Sequence, residues 1–277
     1  MSIKNIKPIY RSADRTTDIR QKEGVTYLTY RIFEGYPLIC AISTRLGGVS
    51  SGPVGTMNMS ATRGDDPACV AKNHRLFAMA TGYDPSRLVM SDQIHKTRIL
   101  KIEEKDAGSG VKERGVDGLI TDVPDLPLMT FYADCVPLMF YDTVHHVVAM
   151  AHSGWRGTVA KIGKICLEQM KLEYGTNAED VLAAIGPSIC QKCYEVDEPL
   201  RIAFAEEFGD VSRSWFMPTG DGKHYDLDLA GACCYTLREA GIPKERIALP
   251  DLCTCCNPEF LFSHRARSEE RRVGKEC

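Results

Sequence analysis

Four apolar runs of strand length crowd the middle of this 277-residue chain, at 128–133, 136–141, 147–151 and 181–185. Runs this short and this uniformly apolar predict buried strands. A sheet of that kind must be covered, and the flanking sequence supplies the helices. Asp66-Pro67 opens one, with Asp as N-cap and Pro in the first turn, and Gly82 stops it after Thr81. Val159, Ile162, Cys166 and Met170 recur at three- and four-residue steps, which predicts a second helix over 158–174 ended by Gly175. Segments 198–208 and 227–240 read as helices closed by Gly209 and Gly241. Near the start, 26–33 and 37–43 flank Glu34-Gly35-Tyr36 as a hairpin. Short strands are expected at 88–90 and 98–102, with a long Gly-, Ser- and Asn-rich loop at 45–65 and a surface loop at 103–115.

Strands and helices alternate without an internal repeat or a low-complexity linker. The expected fold is therefore α/β to α+β, a single domain with a large mixed β-sheet flanked by helices. Its body spans 25–266, preceded by an extension at 1–24 and followed by a charged tail at 267–277 that reads as lying outside the fold.

The net charge of −3 gives no global field that points to nucleic acid or an anionic membrane. The polar, mixed-charge N-terminus lacks the apolar core of an export signal, and no window is apolar for long enough to span a bilayer. The expectation is a cytoplasmic protein whose twelve cysteines are reduced thiols. Monomer and homodimer both remain open.

The apolar runs end on chemically capable residues. Cys135 follows Ala133-Asp134 between two runs, and His152 follows the third. His95 follows the short strand at 88–90, in Gln93-Ile94-His95. One thiolate and two imidazoles suit zinc with a vacant fourth position, which points to an enzyme. The three lie too far apart in sequence for a zinc finger, so the fold must bring them together. The same residues allow a different chemistry, a metal-free pair with Cys135 as nucleophile and His152 as base. Asp134, next to the thiol, is a candidate proton carrier.

Arg156 sits between Gly154 and Gly157 just ahead of a helix, an arrangement suited to an anion such as phosphate. Arg45 is a second candidate for that role, and Asn58 on the same loop could bond a sugar hydroxyl or a base edge. Trp155 reads either as a stacking surface for a purine or as a wedge packing the turn. Cys40, Cys166, Cys233 and Cys234 read as core residues. Cys190-Gln191-Lys192-Cys193 has the spacing of a zinc knuckle. The crowded Cys253-Thr254-Cys255-Cys256 does not read as its regular partner, so a four-cysteine structural zinc is disfavoured.

These stretches resemble the laccase-domain family, once labelled multicopper polyphenol oxidases and now described as zinc-dependent purine nucleoside phosphorylases. The resemblance rests on Ser43-Thr44-Arg45-Leu46-Gly47-Gly48-Val49-Ser50, Gly64-Asp65-Asp66-Pro67, Asp92-Gln93-Ile94-His95 and Asp117-Gly118-Leu119-Ile120-Thr121. It continues through Ala133-Asp134-Cys135-Val136-Pro137, His152-Ser153-Gly154-Trp155-Arg156-Gly157-Thr158, Ile185-Gly186-Pro187-Ser188 and Ser263-His264-Arg265. It implies zinc held by His95, Cys135 and His152, with copper disfavoured because multicopper chemistry needs more histidines than the seven present. It implies phosphorolysis of adenosine, inosine and S-methyl-5'-thioadenosine, with adenosine deaminase activity beside it. It also implies a fold similar to Cys-His deamidase toxins, which supports the metal-free amidohydrolase as the alternative. Two places depart from the family pattern. Lys96 stands where the family has Gly, and the charged tail replaces a Gly-Arg segment and final strand.

Overall fold

The computed structural model describes residues 6–269. At its centre is a six-stranded mixed sheet in the spatial order Ile247–Ala248, Val181–Ile185, Val136–Asp142, Val148–Ser153, Gly118–Thr121 and Ile99–Lys101. Val136–Asp142 pairs antiparallel with both its neighbours, while the two outermost pairings are parallel. Every residue of Val136–Asp142 and of Val181–Ile185 is buried, as their unbroken apolar sequences require. Alternate side chains feed two cores. Leu138 and Phe140 face a core shared with Ile162, Cys166, Met170, Phe204 and Leu237. Met139 and Tyr141 face the other, against Tyr30, Phe33 and Leu182.

Helix α1, Pro67–Thr81, has the predicted ends. Asp66 accepts the Ala68 N–H at 2.8 Å, and Gly82 closes the helix in left-handed backbone at φ 94°. The expected helix at 158–174 is two helices, α2 at Trp155–Val159 and α3 at Ile162–Tyr174. Lys161, at φ 55°, breaks the path between them. The break turns the chain so that Ile162, Cys166 and Met170 still reach the core. Two further helices, α4 at Glu198–Phe208 and α5 at Leu229–Glu239, fall where the sequence placed them. Among the described residues, no helix is long and apolar enough to cross a membrane.

The structure revises both ends of the domain. Within the supposed extension at 1–24, Thr17–Lys22 pairs antiparallel with Val25–Tyr30, which in turn pairs with Ala41–Ser43. Thr17 also bonds the buried Asp251 carboxylate through its backbone N–H and its hydroxyl. Residues 10–22 therefore belong to the body. The first residues of the supposed tail lie in the helix His264–Glu269, and Arg267 donates to the Pro53 carbonyl. The rest of that tail, 270–277, lies outside the described residues. A small sheet of Glu195–Asp197, His224–Leu227 and Phe216–Pro218 was not anticipated, because its strands are short and carry few apolar residues.

The sheet's helical cover is locked by aromatic packing. Phe204 is fully buried, with ring centroids 5.4 Å from Phe216, 5.8 Å from Phe208 and 6.2 Å from Trp215. Phe204→Ala should lower the unfolding free energy by about 3–5 kcal/mol. Urea denaturation checks this, and a change under about 1 kcal/mol would show that the cluster collapses without loss.

Candidate metal centre

Three separate stretches of backbone deliver His95, Cys135 and His152 to one point. Cys135 immediately precedes Val136–Asp142, and His152 lies in the adjacent strand with Pro137 opposite it. His95 sits on the connection between Val89–Met90 and Ile99–Lys101. One ligand atom from each lies within 4.8 Å of the other two. The imidazole centroids are 4.7 Å apart with the rings at 70°. Ligand atoms on a tetrahedral zinc lie roughly 3–4 Å apart, so this set fits such an ion with little adjustment. His152 is buried, Cys135 half-buried and His95 exposed, which leaves the centre open on the His95 side. Gly154 keeps the space clear. A Cβ there would stand 2.8 Å from His95 Nδ1 and 3.2 Å from Cys135 Sγ.

Asp117, fully buried, organises two of the three candidates. Its carboxylate accepts the backbone N–H groups of Ile94, His95 and Lys96 at 3.2, 2.9 and 2.9 Å. These bonds curl the loop and hold His95 in left-handed backbone at φ 61°. The same carboxylate meets His152 Nδ1 at 3.1 Å, and the Asp117 carbonyl accepts the His152 N–H at 2.7 Å. A proton held on Nδ1 leaves the Nε2 lone pair for a metal. Burial pushes the Asp117 carboxyl upward, but bonds from His152, Lys96 and Ile94 outweigh it and hold it below its ordinary 3.8. Although the residue is exposed, partial desolvation within the centre, then the nearby His152, lowers His95 from 6.5; Asp117 opposes the shift, and the charges of Arg156 and Arg63 add to it. A neutral imidazole is the ligating form. Sequence reasoning assigned no role to Asp117. Its one local signal is a carboxylate directly preceding an apolar strand.

Burial pushes the Cys135 thiol up to about 12, and the Asp134 carboxylate reinforces the rise. Asp134 spends both its own oxygens on structure. Oδ1 accepts the Thr254 hydroxyl and Oδ2 the Arg265 N–H, each at 2.6 Å, while its carbonyl accepts the Ile189 N–H at 3.0 Å.

Aromatic and cationic side chains surround the trio. The Tyr132 ring centroid is 5.8 Å from that of His152, and its hydroxyl donates to the Ala151 carbonyl. Arg156 is exposed, with its guanidinium 4.3 Å from the Trp155 ring centroid. Trp155 itself packs half-buried against the main core, which fits the wedge reading. Arg63, exposed on the long loop, is a cation that sequence reasoning passed over. The other loop candidates are tied into their own neighbourhoods. Arg45 is buried, donates to the Gly55 carbonyl and lies over the Phe262 ring at 4.6 Å. Asn58 donates to Ser60 O and to the Asp65 carboxylate, and accepts the Ser60 N–H.

The chain matches known proteins over most of its length. A family model described as multi-copper polyphenol oxidoreductase laccase matches residues 39–277. The purine nucleoside phosphorylase YlmD of Bacillus subtilis (strain 168) is 35% identical over 233 residues, 82% of this chain and 83% of that protein. The adenosine deaminase RL5 of an unknown prokaryotic organism is 34% identical over 207 residues, 73% of this chain and 78% of its own length. The crystal structure of the Bacillus licheniformis hypothetical protein YfiH superposes with a TM-score of 0.84 at 31% identity, covering 90% of this chain and 94% of that one.

Asp117→Asn keeps the shape but leaves one oxygen to do the work of two. We expect a loss of about 1–3 kcal/mol and faster amide hydrogen exchange at Ile94, His95 and Lys96. The folded-state value of Asp117 lies below 3.8, so its contribution is full above pH 3.8 and fades as pH falls through the folded value. The stability gap between wild type and variant should therefore narrow in acid. A gap that stays constant down to pH 2 would show that the Asp117 charge contributes nothing.

Proposed function

The chain belongs to the multi-copper polyphenol oxidoreductase laccase family, and from that premise we propose that it is a zinc-dependent purine nucleoside phosphorylase with adenosine deaminase activity. Its substrates on this reading are adenosine, inosine and S-methyl-5'-thioadenosine, with inorganic phosphate as co-substrate. One observation carries the proposal, the convergence of His95, Cys135 and His152 within 4.8 Å around a centre open on one side. Bound there, zinc would supply Lewis acidity.

The chain's own groups do the rest. Asp117 keeps a proton on His152 Nδ1 and so aims Nε2 inward. Desolvation within the centre, with the neighbouring His152, shifts His95 toward its neutral form. Arg156 and Arg63, whose charges reach His95, would hold phosphate beside the ribose. Arg45 and Asn58 would shape the long loop that borders the substrate. Asp134, a candidate proton carrier by its place next to the thiol, has both carboxylate oxygens engaged and would instead position Cys135. We propose the cytoplasm as the compartment, with the cysteines kept as reduced thiols.

The alternative is a metal-free amidohydrolase using Cys135 and His152, in keeping with the expected likeness to Cys-His deamidase folds. A thiol pushed up to about 12 weighs against it, because a nucleophilic cysteine needs its proton drawn off near neutral pH.

Elemental analysis combined with phosphate-dependent release of purine base from adenosine and inosine tests the proposal. Cys135→Ala should lose the metal of this centre and lower turnover by roughly a thousandfold or more. Copper in place of zinc would overturn the metal assignment. Activity that survives chelation, with iodoacetamide alkylating Cys135, would favour the amidohydrolase. Arg156→Ala should raise the KM for phosphate about tenfold with a smaller effect on the KM for nucleoside, and equal effects on both would remove Arg156 from the phosphate site.

A further inference from the structure

A second group of metal-ligating side chains lies outside this centre. The sulfurs of Cys190, Cys193, Cys253 and Cys256 all lie within 4.8 Å of one another. Two residues separate Cys253 from Cys256, as two separate Cys190 from Cys193, and Cys255 is the outsider that hides the match. Cys190 and Cys193 therefore do have a regular partner pair, contrary to what the crowded 253–256 stretch suggests. Cys193 Sγ and Cys190 Sγ stand 3.5 and 4.0 Å from Cys256 Sγ. A disulfide requires about 2.0 Å, whereas sulfurs sharing a tetrahedral zinc at about 2.3 Å lie roughly 3.8 Å apart.

The backbone around the group is built for thiolates. Cys253 is buried, and its sulfur accepts the N–H groups of Cys190 at 3.2 Å and Cys256 at 3.4 Å. Bonds of this kind stabilise a negative sulfur and fix its direction. Each knuckle is also held by its own frame. Cys193 N–H closes a tight turn on the Cys190 carbonyl, and Gln191 anchors that turn to the carbonyls of Trp215 and Asp226. Ser188 and Cys253 form a parallel bridge, with Thr254 N–H on the Ser188 carbonyl at 3.2 Å. The two knuckles thus face each other across the group.

We propose that Cys190, Cys193, Cys253 and Cys256 form a second, structural metal site that binds zinc through four thiolates. Binding transfers four thiol protons to solvent and involves no change of oxidation state. All four coordination positions are filled by protein, so the site is closed to substrate. Its place in the fold gives it a purpose. Ile189 and Thr254, each next to one of the ligands, are the residues that bond the Asp134 carbonyl and carboxylate. An ion joining the knuckles fixes both braces of the residue that precedes Cys135.

The test uses the full chain purified under reducing conditions and loaded with zinc. The Cys135→Ala variant leaves the four-cysteine group untouched, so it should retain about one zinc per chain, with X-ray absorption showing four sulfurs at about 2.3 Å. Wild type should hold about one equivalent more, and the Cys253→Ser/Cys256→Ser double variant about one equivalent less than wild type. If the main centre holds no metal, wild type and Cys135→Ala carry the same single all-sulfur zinc. The present inference survives that outcome while the phosphorylase mechanism does not. A Cys135→Ala protein with no zinc, or with zinc bound by nitrogen and oxygen, overturns the second site. So does a Cys193–Cys256 disulfide that persists in reductant.

Discussion

The buried carboxylate of Asp117 is the constraint from which the rest of the centre follows. Removing a carboxylate from water costs several kcal/mol unless bonds replace its hydration. Here three backbone N–H groups and one imidazole supply them. Those partners come from two segments that are otherwise unrelated in sequence, the loop at 94–96 and the strand ending in Ser153. One charge thus sets the position of His95, the tautomer of His152 and the distance between them. Gly118, the next residue, lets its strand lie close against the one that carries His152, because a Cβ there would stand 2.9 Å from the Met150 carbonyl oxygen.

A second buried carboxylate does for Cys135 what Asp117 does for the histidines. Asp134 gathers Ile189, Thr254 and Arg265, three residues spread across the last third of the chain. The C-terminal segment therefore takes part in building the centre although it contributes none of the three candidate ligands. Tyr194 links the same region to the centre. Its hydroxyl is strongly disfavoured from ionising, first by burial and then by the neighbouring Cys135, while Arg265 stands 5.5 Å over its ring. The four-cysteine group lies between these elements, where a structural ion would act on geometry alone.

What the sequence made legible were features whose cause is local. Asp66, Pro67 and Gly82 bound α1 through bonds and dihedrals within a few residues, and the apolar runs at 136–141 and 181–185 announce burial by composition. His95, Cys135 and His152 could be picked out because each closes such a run. Other features have distant causes. Thr17–Lys22 is mostly exposed and polar, with only Thr17 buried, so nothing in it signals a strand except its partner Val25–Tyr30. The break at Lys161 answers to how α3 must lie on the sheet, which periodicity across 158–174 does not register. Asp117 and Arg63 gain meaning only once the chain has brought them to His95. The second knuckle was obscured by Cys255, because a third thiol inside the motif masks its spacing.

Two corners of the centre sit in backbone that L-residues rarely adopt, His95 at φ 61° and Asp134 at φ 95°. Such residues cost on the order of 1–3 kcal/mol each and persist only where their surroundings over-determine them. Both conditions hold here. His95 is flanked by the three N–H bonds to Asp117, and Asp134 makes three bonds of its own. Between them Gly154 supplies the empty volume that any larger residue would fill. Strain offset by buried hydrogen bonds gives a backbone with little freedom to relax around these side chains. The centre is exposed on its His95 side, where the charges of Arg63 and Arg156 also reach.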